Sequence, residues 1–142
     1  MWRHAVVPVD GTPHSLRVLE AACAFQRVFG MAIDAVYVIE VPRALPLSAE
    51  LPALRSKAEA VMAEVRAVAE REGAVVRQRI IQARALGAAI IEAAAEGDVL
   101  MVAGRATTRF NSPWGEDLAS FLFRKAPTAV LLFRDPRVGQ ES

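Results

Sequence analysis

Five short apolar segments alternate with four amphipathic segments along this chain of 142 residues, and no single motif restricts the fold as much as this alternation does. One of the five runs from Val99 to Ala103 and ends at Gly104, with no polar residue inside it. An unbroken apolar run of this length is typical of a strand buried on both faces of a parallel sheet. Strands that alternate with helices at this spacing predict an α/β domain with helices on both faces.

The chain divides into nine predicted elements. Thr12 and Pro13 supply the cap and first position of a helix that Gly30 ends, and Gly73 ends a second helix. Pro8 lies near the end of the first strand, where the hydrogen-bond ladder can stop. The predicted strands cover residues 5–9, 32–41, 75–82, 99–103 and 129–133, and the predicted helices cover residues 13–29, 51–72, 85–96 and 114–124.

Five parallel strands joined by right-handed crossovers leave few topologies. We predict a doubly wound five-stranded sheet with strand order 3-2-1-4-5, whose order reverses between the first and fourth strands. Ligands of such sheets bind outside the carboxyl ends of the strands at the reversal. The first strand ends at Asp10 and the fourth at Gly104, so the sequence predicts that these two turns lie together.

The segment after the fourth strand, residues 105–112, is rich in hydrogen-bond donors: two Arg, two Thr, one Asn and one Ser. Ser112 suits a helix cap and Pro113 suits the first turn, which predicts a helix that begins at Trp114. A strand, a donor-rich loop and a helix N-terminus together are typical of an anion site.

Composition limits the class of protein. A formal net charge of +1 gives no electrostatic reason to expect nucleic acid binding. No apolar run approaches the roughly 20 residues that span a bilayer, so we expect no membrane insertion. The single cysteine, Cys23, lies among apolar residues and indicates a buried thiol in a cytoplasmic protein. We expect one domain over residues 1–134 and a polar tail over residues 135–142.

Four segments of the chain, in order and with matching spacing, resemble the signature segments of the universal stress protein family. They are residues 7–15 (VPVDGTPHS), 36–41 (VYVIEV), 98–104 (DVLMVAG) and 126–132 (APTAVLL). The resemblance implies an adenine nucleotide alpha hydrolase-like fold, usually found as a cytoplasmic homodimer in the stress response. It also implies an ATP, ADP or AMP ligand, with Mg²⁺ accompanying ATP.

In nucleotide-binding members of that family, an acidic residue after the first strand and a valine near the end of the second hold the adenosine. The resemblance maps these roles to Asp10 and Val38, with Pro8 and Val9 beside them. Asp10 also suits a second role as the cap of the turn before the first helix, and the sequence favours neither role.

The family's phosphate loop, G-x2-G-x9-G-[S/T], is only partly present. Its first glycine is Gly104, but Thr107 stands at the second glycine position and the acidic residues Glu116 and Asp117 stand at the end of the motif. A glycine lets the backbone approach a phosphate without a Cβ, and a β-branched threonine does not. Carboxylates near a triphosphate repel it by a few kcal/mol at about 4 Å in partly screened surroundings. We therefore predict that AMP or ADP binds at least as well as ATP without metal. The candidate nucleotide-binding residues of this segment are Arg105, Thr107, Thr108, Arg109 and Asp117.

Two functions of different classes remain open. One is a regulatory, stress-associated module that binds an adenine nucleotide through this altered loop. The other is a dimerisation or protein-interaction module, including one linked to a transporter, that binds no nucleotide. No nucleophile, histidine and acid can be assembled into a triad, so we predict no enzyme and no catalytic residues. His4 and His14 lack partners at metal-ligand spacing, which argues against a metal site. The apolar terminal strand predicts a homodimer.

Overall fold

The computed structural model describes residues 2–104 and 117–137, and these contain nine elements in the predicted order. The five strands form one parallel sheet with order β3-β2-β1-β4-β5, so the predicted doubly wound topology is confirmed. The elements are β1 (His4–Pro8), α1 (Pro13–Phe29), β2 (Ala32–Glu40), α2 (Pro52–Glu72), β3 (Arg77–Ala83), α3 (Leu86–Ala94), β4 (Val99–Ala103), α4 (Leu118–Lys125) and β5 (Ala129–Phe133).

Two helices end and begin where the local chemistry predicted. The Thr12 side chain accepts a hydrogen bond from the backbone N–H of Ser15 and caps α1, and Pro13 occupies its first turn. Gly30 and Gly73, at the C-termini of α1 and α2, have left-handed φ values of 71° and 64°. Glycine adopts this conformation without the steric cost that a Cβ brings.

The predicted start of the fourth helix is wrong. Asp117 has an extended backbone, with φ −76° and ψ 166°, and its side chain accepts from the Ser120 N–H, so α4 begins at Leu118. A helix over residues 114–124 would have to pass through Asp117. The pattern Asp-x-x-Ser is itself a capping pattern, because the carboxylate reaches the amide three residues on. The predicted cap, Ser112, lies outside the described residues.

The core has two parts, one on each face of the sheet. The first packs α1 and α2 against β1, β2 and β4, and the second packs α3 and α4 against the opposite face. Every residue of β4 is buried, as the unbroken apolar run predicted. Side chains of adjacent residues alternate across a strand, so Met101 enters the first part and Leu100 the second.

Some predicted boundaries shift. The third strand begins at Arg77 and not at residue 75, because Val75 pairs with the side chain of Gln26. Leu54 lies four residues from Ala58 of α2, yet it is exposed, and the buried face of the helix starts at Ala58. Periodicity gives the face of a helix, and the sheet beneath decides how much of that face is covered.

The margins of the sheet are β3 and β5, and both were predicted as edge strands. Leu132 on β5 and Phe123 on α4 are 46% and 63% exposed. Beyond β5, Asp135 lies 3.3 Å from the Nε of Arg17, so the start of the tail contacts α1. Among the described residues, no helix is both long and apolar enough to cross a membrane.

Candidate functional site

A cleft opens at the carboxyl edge of the sheet, between the ends of β1 and β4. These strands are neighbours, with Ala5 opposite Val99 and Val6 opposite Leu100, and they are the pair at which the strand order reverses. The predicted meeting of the two turns is therefore confirmed for the described residues. The cleft contains a cavity of about 40 Å³ and is lined by Pro8, Val9, Asp10, Thr12, Ser15, Val36, Val38, Leu86, Ile90, Val102, Ala103 and Leu118.

Asp10 lies in a closed hydrogen-bond network at the start of α1. Its Oδ1 accepts from the backbone N–H of Thr12 at 2.9 Å and from the Thr12 hydroxyl at 2.6 Å. Its own N–H donates to Ser15 Oγ at 3.2 Å, and that hydroxyl donates to the Thr12 carbonyl at 3.1 Å. One carboxylate oxygen of Asp10 thus stabilises the turn, which is the capping role that the sequence analysis offered for this residue. No described residue donates to the other oxygen, Oδ2, which leaves it able to accept from a ligand.

The backbone of Val38 has no partner among the described residues on the side facing the cleft. Val9 N–H donates to the Val36 carbonyl at 2.9 Å, so the backbone of Val36 faces β1. Peptide groups of a strand alternate in direction, and Val38 therefore faces the same side two residues further on. Strand β1 has already ended opposite Val38, because the chain turns at Asp10 and Gly11. Val38 consequently offers one donor and one acceptor, a pair suited to the edge of a nucleobase.

Two glycines shape the cleft for different reasons. Gly11 has φ +85°, and a Cβ there would lie 3.0 Å from the Cγ2 of Val61, so this turn requires glycine. Gly104 needs no positive φ. A Cβ on Gly104 would lie 3.2 Å from the Phe133 carbonyl oxygen, so glycine there allows close approach to the end of β5.

The N-terminus of α4 borders the cleft and is already capped by a carboxylate. Asp117 Oδ1 accepts from the Ser120 N–H at 2.7 Å, and the next residue, Leu118, is buried and lines the cleft. A carboxylate cap accepts hydrogen bonds from the free backbone amides and offsets the positive end of the helix dipole. Both of these features would otherwise attract a phosphate. A second anion at this helix end would be repelled by the negative charge of Asp117.

The other predicted site residues fall into two groups. Pro8 and Val9 line the cleft, and Val9 is also part of the core. The candidate phosphate contacts Arg105, Thr107, Thr108 and Arg109 lie outside the described residues. Arg84, at the end of β3, donates to the carbonyl of Pro42 at 2.7 Å. It therefore joins the end of β3 to the segment after β2.

Sequence reasoning missed the apolar wall of the cleft, formed by Leu86 and Ile90 of α3 and Leu118 of α4. Leu86 and Ile90 are four residues apart and lie on one helix face, which helical periodicity could have shown. The predicted helix over residues 114–124 contains Leu118 in its interior, so the sequence did not indicate that Leu118 begins a helix beside the cleft. Glu40 was also missed; it accepts from the Leu86 N–H at 3.2 Å and caps α3 from the end of β2.

Within the described ranges, the titratable groups form no candidate metal centre. No three His, Cys, Asp or Glu side chains among the described residues are grouped so as to hold a metal ion. Cys23 is fully buried in α1, and this burial raises the pKa of its thiol. The predicted burial of this thiol is therefore confirmed, and its raised pKa keeps it protonated and unreactive at neutral pH.

The fold and this cleft define a class: a doubly wound α/β domain with a cleft at the reversal of its strand order. The family model of the universal stress protein family matches residues 1–134, and the chain belongs to that family. This confirms the resemblance read from the four sequence segments.

Solved structures of the same family share the fold at low sequence identity. A universal stress protein in complex with cAMP is 21% identical with a TM-score of 0.72, and the match covers 94% of this chain and 97% of that one. A universal stress protein from Archaeoglobus fulgidus in complex with dAMP is 18% identical, with a TM-score of 0.70 and coverage of 93% and 97%. A family protein from Arabidopsis thaliana with AMP bound is 12% identical, with a TM-score of 0.64 and coverage of 93% and 91%. No curated protein matches the chain in a sequence comparison.

Proposed function

We propose that this protein is a regulatory module that binds an adenine nucleotide in the cleft between β1 and β4, with the base and ribose at Val38 and Asp10. The observation that carries the proposal is the open hydrogen-bonding edge of the cleft. Val38 and Asp10 line the cleft, and neither the outward peptide groups of Val38 nor the Oδ2 of Asp10 has a described partner, while apolar side chains form the cleft walls. Apolar walls with a few convergent polar groups are typical of small-molecule sites.

The choice of an adenine nucleotide rests on two further supports. Three structures with this fold hold cAMP, dAMP or AMP. In addition, a purine edge with a neighbouring donor and acceptor complements the backbone of Val38, and an aspartate commonly accepts from ribose hydroxyls at such sheet reversals. All three of these ligands carry a single phosphate group.

The negative charge of Asp117 at the start of α4 favours a nucleotide with few phosphate groups. Asp117 caps the helix beside the cleft, and no Lys or Arg is among the residues that line it in the described part of the chain. Each added phosphate charge is repelled by this carboxylate unless a cation lies between them. We therefore propose that AMP or ADP binds at least as well as ATP, and that Mg²⁺ improves the binding of ATP selectively.

Calorimetric titration tests this order directly. Purified protein freed of nucleotide is titrated with AMP, ADP and ATP, each with and without Mg²⁺, and with GMP as the control for base recognition. The proposal predicts saturable binding of AMP, no tighter binding of ATP without metal, and weak or absent binding of GMP. Tight metal-free binding of ATP, stronger than that of AMP, would contradict the charge argument.

A second function is favoured by the size of the cavity. Its volume of about 40 Å³ holds only a few water molecules, at about 10–15 Å³ each by this measure, so a purine ring requires the cleft to widen. Leu86, Ile90 and Leu118 would have to move outward. A protein-interaction or transporter-linked module that binds no nucleotide would keep these side chains in place. Absence of heat with every adenine nucleotide in the same titrations would favour this second function.

We also propose a homodimer formed through β5. Strand β5 lies at the edge of the sheet, and an edge strand presents unpaired backbone groups to a second chain. Leu132 lies on this strand and is exposed, so a second chain that covers the edge would bury it. A cytoplasmic location, a non-enzymatic role and the division into a domain of residues 1–134 and a tail of residues 135–142 remain predictions of the same proposal.

A further inference from the structure

A groove lies between strand β3 and helix α3, at the margin of the sheet opposite β5, and the proposed function does not use it. The groove has a volume of about 450 Å³. Ile81 and Ala83 of β3 line one side, and three alanines at or just before the start of α3 line the other: Ala85, Ala88 and Ala89. Leu47, which is 48% exposed, also lines the groove. An apolar surface with charged side chains at its rim is typical of an interaction site.

The exposed face of α3 carries small side chains. Ile90 and Ala93 pack into the core, whereas Ala88, Glu92 and Ala95 are exposed. Positions 88, 92 and 95 are four and three residues apart, so they lie on one face of the helix. The distance between two packed helices depends on the side chains at their contact, and alanines allow a close approach. This face can therefore receive a second helix.

The groove is polarised along its length. Strand β3 ends where α3 begins, so Arg84 lies at the carboxyl end of the groove and Glu92 lies toward the amino end. The Arg84 guanidinium donates to the Pro42 carbonyl at 2.7 Å and forms no ion pair with a described residue. Glu92 has neither a hydrogen bond nor an ion pair with any residue that the structure describes. Glu40, at the carboxyl end, already accepts from the Leu86 N–H at 3.2 Å.

The remaining charges at the amino end already have partners. Arg79 is hydrogen-bonded to the Glu96 carboxylate and lies 3.8 Å from the carboxylate of Asp34. Asp34 in turn lies 3.2 Å from the His4 ring on β1. The cation at one end of the groove and the carboxylate at the other are therefore left for a partner of complementary charge.

We infer that this groove is a contact between two copies of the chain, in which the α3 helices pack antiparallel about a twofold axis at Ala88. Ala88 is four residues from Arg84 and four residues from Glu92. A half-turn at Ala88 therefore brings the Arg84 of each copy toward the Glu92 of the other. A twofold contact is self-complementary, so this charge pair occurs twice. The same rotation carries Leu47 of each copy over the partner's groove, where it loses exposure.

The contact at α3 is separate from the pairing proposed through β5. Strands β3 and β5 are opposite margins of the sheet, so one chain can form both contacts. Alanine side chains bury little apolar area, and exposed ion pairs contribute little free energy. The α3 contact should therefore be the weaker one and form at higher protein concentration. Because it includes two charge pairs, it should also weaken as salt is added.

Disulfide trapping tests the position of the axis and captures a weak contact. Ala88→Cys is introduced into the Leu132→Lys chain, which removes pairing through β5, and concentrated protein is oxidised with glutathione disulfide. A twofold axis at Ala88 brings position 88 of both copies within disulfide reach, ~4.4–6.8 Å between Cα atoms. Cys23 is buried and does not compete.

Ala95→Cys, on the same exposed face, is the matched control. The axis at Ala88 places the two copies of position 95 roughly 20 Å apart along the helices, at about 1.5 Å per residue. The inference predicts a disulfide-linked dimer from Ala88→Cys and loss of that product with Ala95→Cys. Equal yields from the two positions, including none from either, would overturn the inference. A failure of pairing through β5 would leave this result unchanged.

A charge exchange tests the pairing of Arg84 with Glu92. Glu92→Arg in the Ala88→Cys chain should slow trapping roughly tenfold, because two attractions become two repulsions. Adding Arg84→Glu should restore most of the rate, and a thermal melt checks that each variant is folded. An unchanged rate in Glu92→Arg, or no recovery in a folded double variant, would overturn the inference. Should the double variant fail to fold, the comparison of positions 88 and 95 still decides.

Discussion

Asp10 has two carboxylate oxygens with separate roles, and an isosteric substitution separates them. Oδ1 accepts two hydrogen bonds from Thr12 and holds the turn, whereas Oδ2 has no described donor and Asp10 lines the cleft. Asp10→Asn keeps an oxygen for Thr12 and replaces the other with an NH₂ group that cannot accept from a ribose hydroxyl. Asp10→Ala removes both oxygens. Asp10→Ala should therefore be less stable than Asp10→Asn, whereas both variants should lose affinity for AMP.

The magnitudes follow from the number of bonds lost. A hydrogen bond to a charged group contributes about 1.5–3 kcal/mol, so either variant should weaken AMP binding roughly 10- to 150-fold. Asp10→Ala also leaves the Thr12 donors without their acceptor in a part-buried turn, which should lower the free energy of unfolding by about 1–3 kcal/mol. Asp10→Asn should lower it by less than about 1 kcal/mol because the turn keeps a neutral acceptor.

Two assays on the same preparations measure these effects. Calorimetry gives the affinity for AMP, and urea denaturation monitored by tryptophan fluorescence gives the free energy of unfolding. The reasoning is refuted if Asp10→Asn binds AMP as tightly as wild type, since Asp10 would then be a turn residue only. It is also refuted if Asp10→Asn is destabilised as much as Asp10→Ala, since the two oxygens would not have separate roles.

Three further predictions concern α4, β5 and the tail. Asp117→Ala should lose the α4 cap and about 1 kcal/mol of stability, whereas Asp117→Ser should retain the cap and, by calorimetry, improve metal-free ATP binding relative to AMP. Leu132→Lys should give a monomer by light scattering with little change in thermal stability, because Leu132 is 46% exposed, whereas a charge at the core-packed Leu131 should unfold the chain. Hydrogen bonds from Arg137 lower the pKa of Asp135 to about 2, so the stabilisation from this pairing is present above an unfolded aspartate's ~3.9 and lost as pH falls through about 2. An NMR titration of the Asp135 carboxyl should show that midpoint, and Arg137→Ala should raise it.

The topology could be predicted from sequence because short-range chemistry and chain order determine it together. Thr12, Pro13 and Gly30 define the ends of α1 by capping rules that need no tertiary information. The order of strands and helices then brings Asp10 beside Gly104 through crossover handedness alone. The site location was therefore predictable to the level of two neighbouring turns.

Two kinds of feature could not be predicted from the sequence: those with competing local signals and those that depend on tertiary packing. Ser112-Pro113 and Asp117-Leu-Ala-Ser120 are both plausible helix starts, and the sequence does not rank them. The cleft wall of Leu86, Ile90 and Leu118 joins side chains from two helices whose separation along the sheet is set only by packing. His4 and Asp34 meet because β1 and β2 pair in one particular register, with His4 opposite Ala32. A shift of one residue would send Asp34 to the other face of the sheet.

The account rests on AMP binding at the backbone of Val38, and amide NMR observes that contact directly. The Val38 N–H has no described acceptor in the free protein, so a base hydrogen-bonded there must shift its resonance. Titration of ¹⁵N-labelled protein with AMP should move the amide signals of Val38, Asp10 and Thr12 together and to saturation, and leave that of His4 in place. Unchanged signals at these three residues, or shifts confined to another part of the protein, would contradict the account.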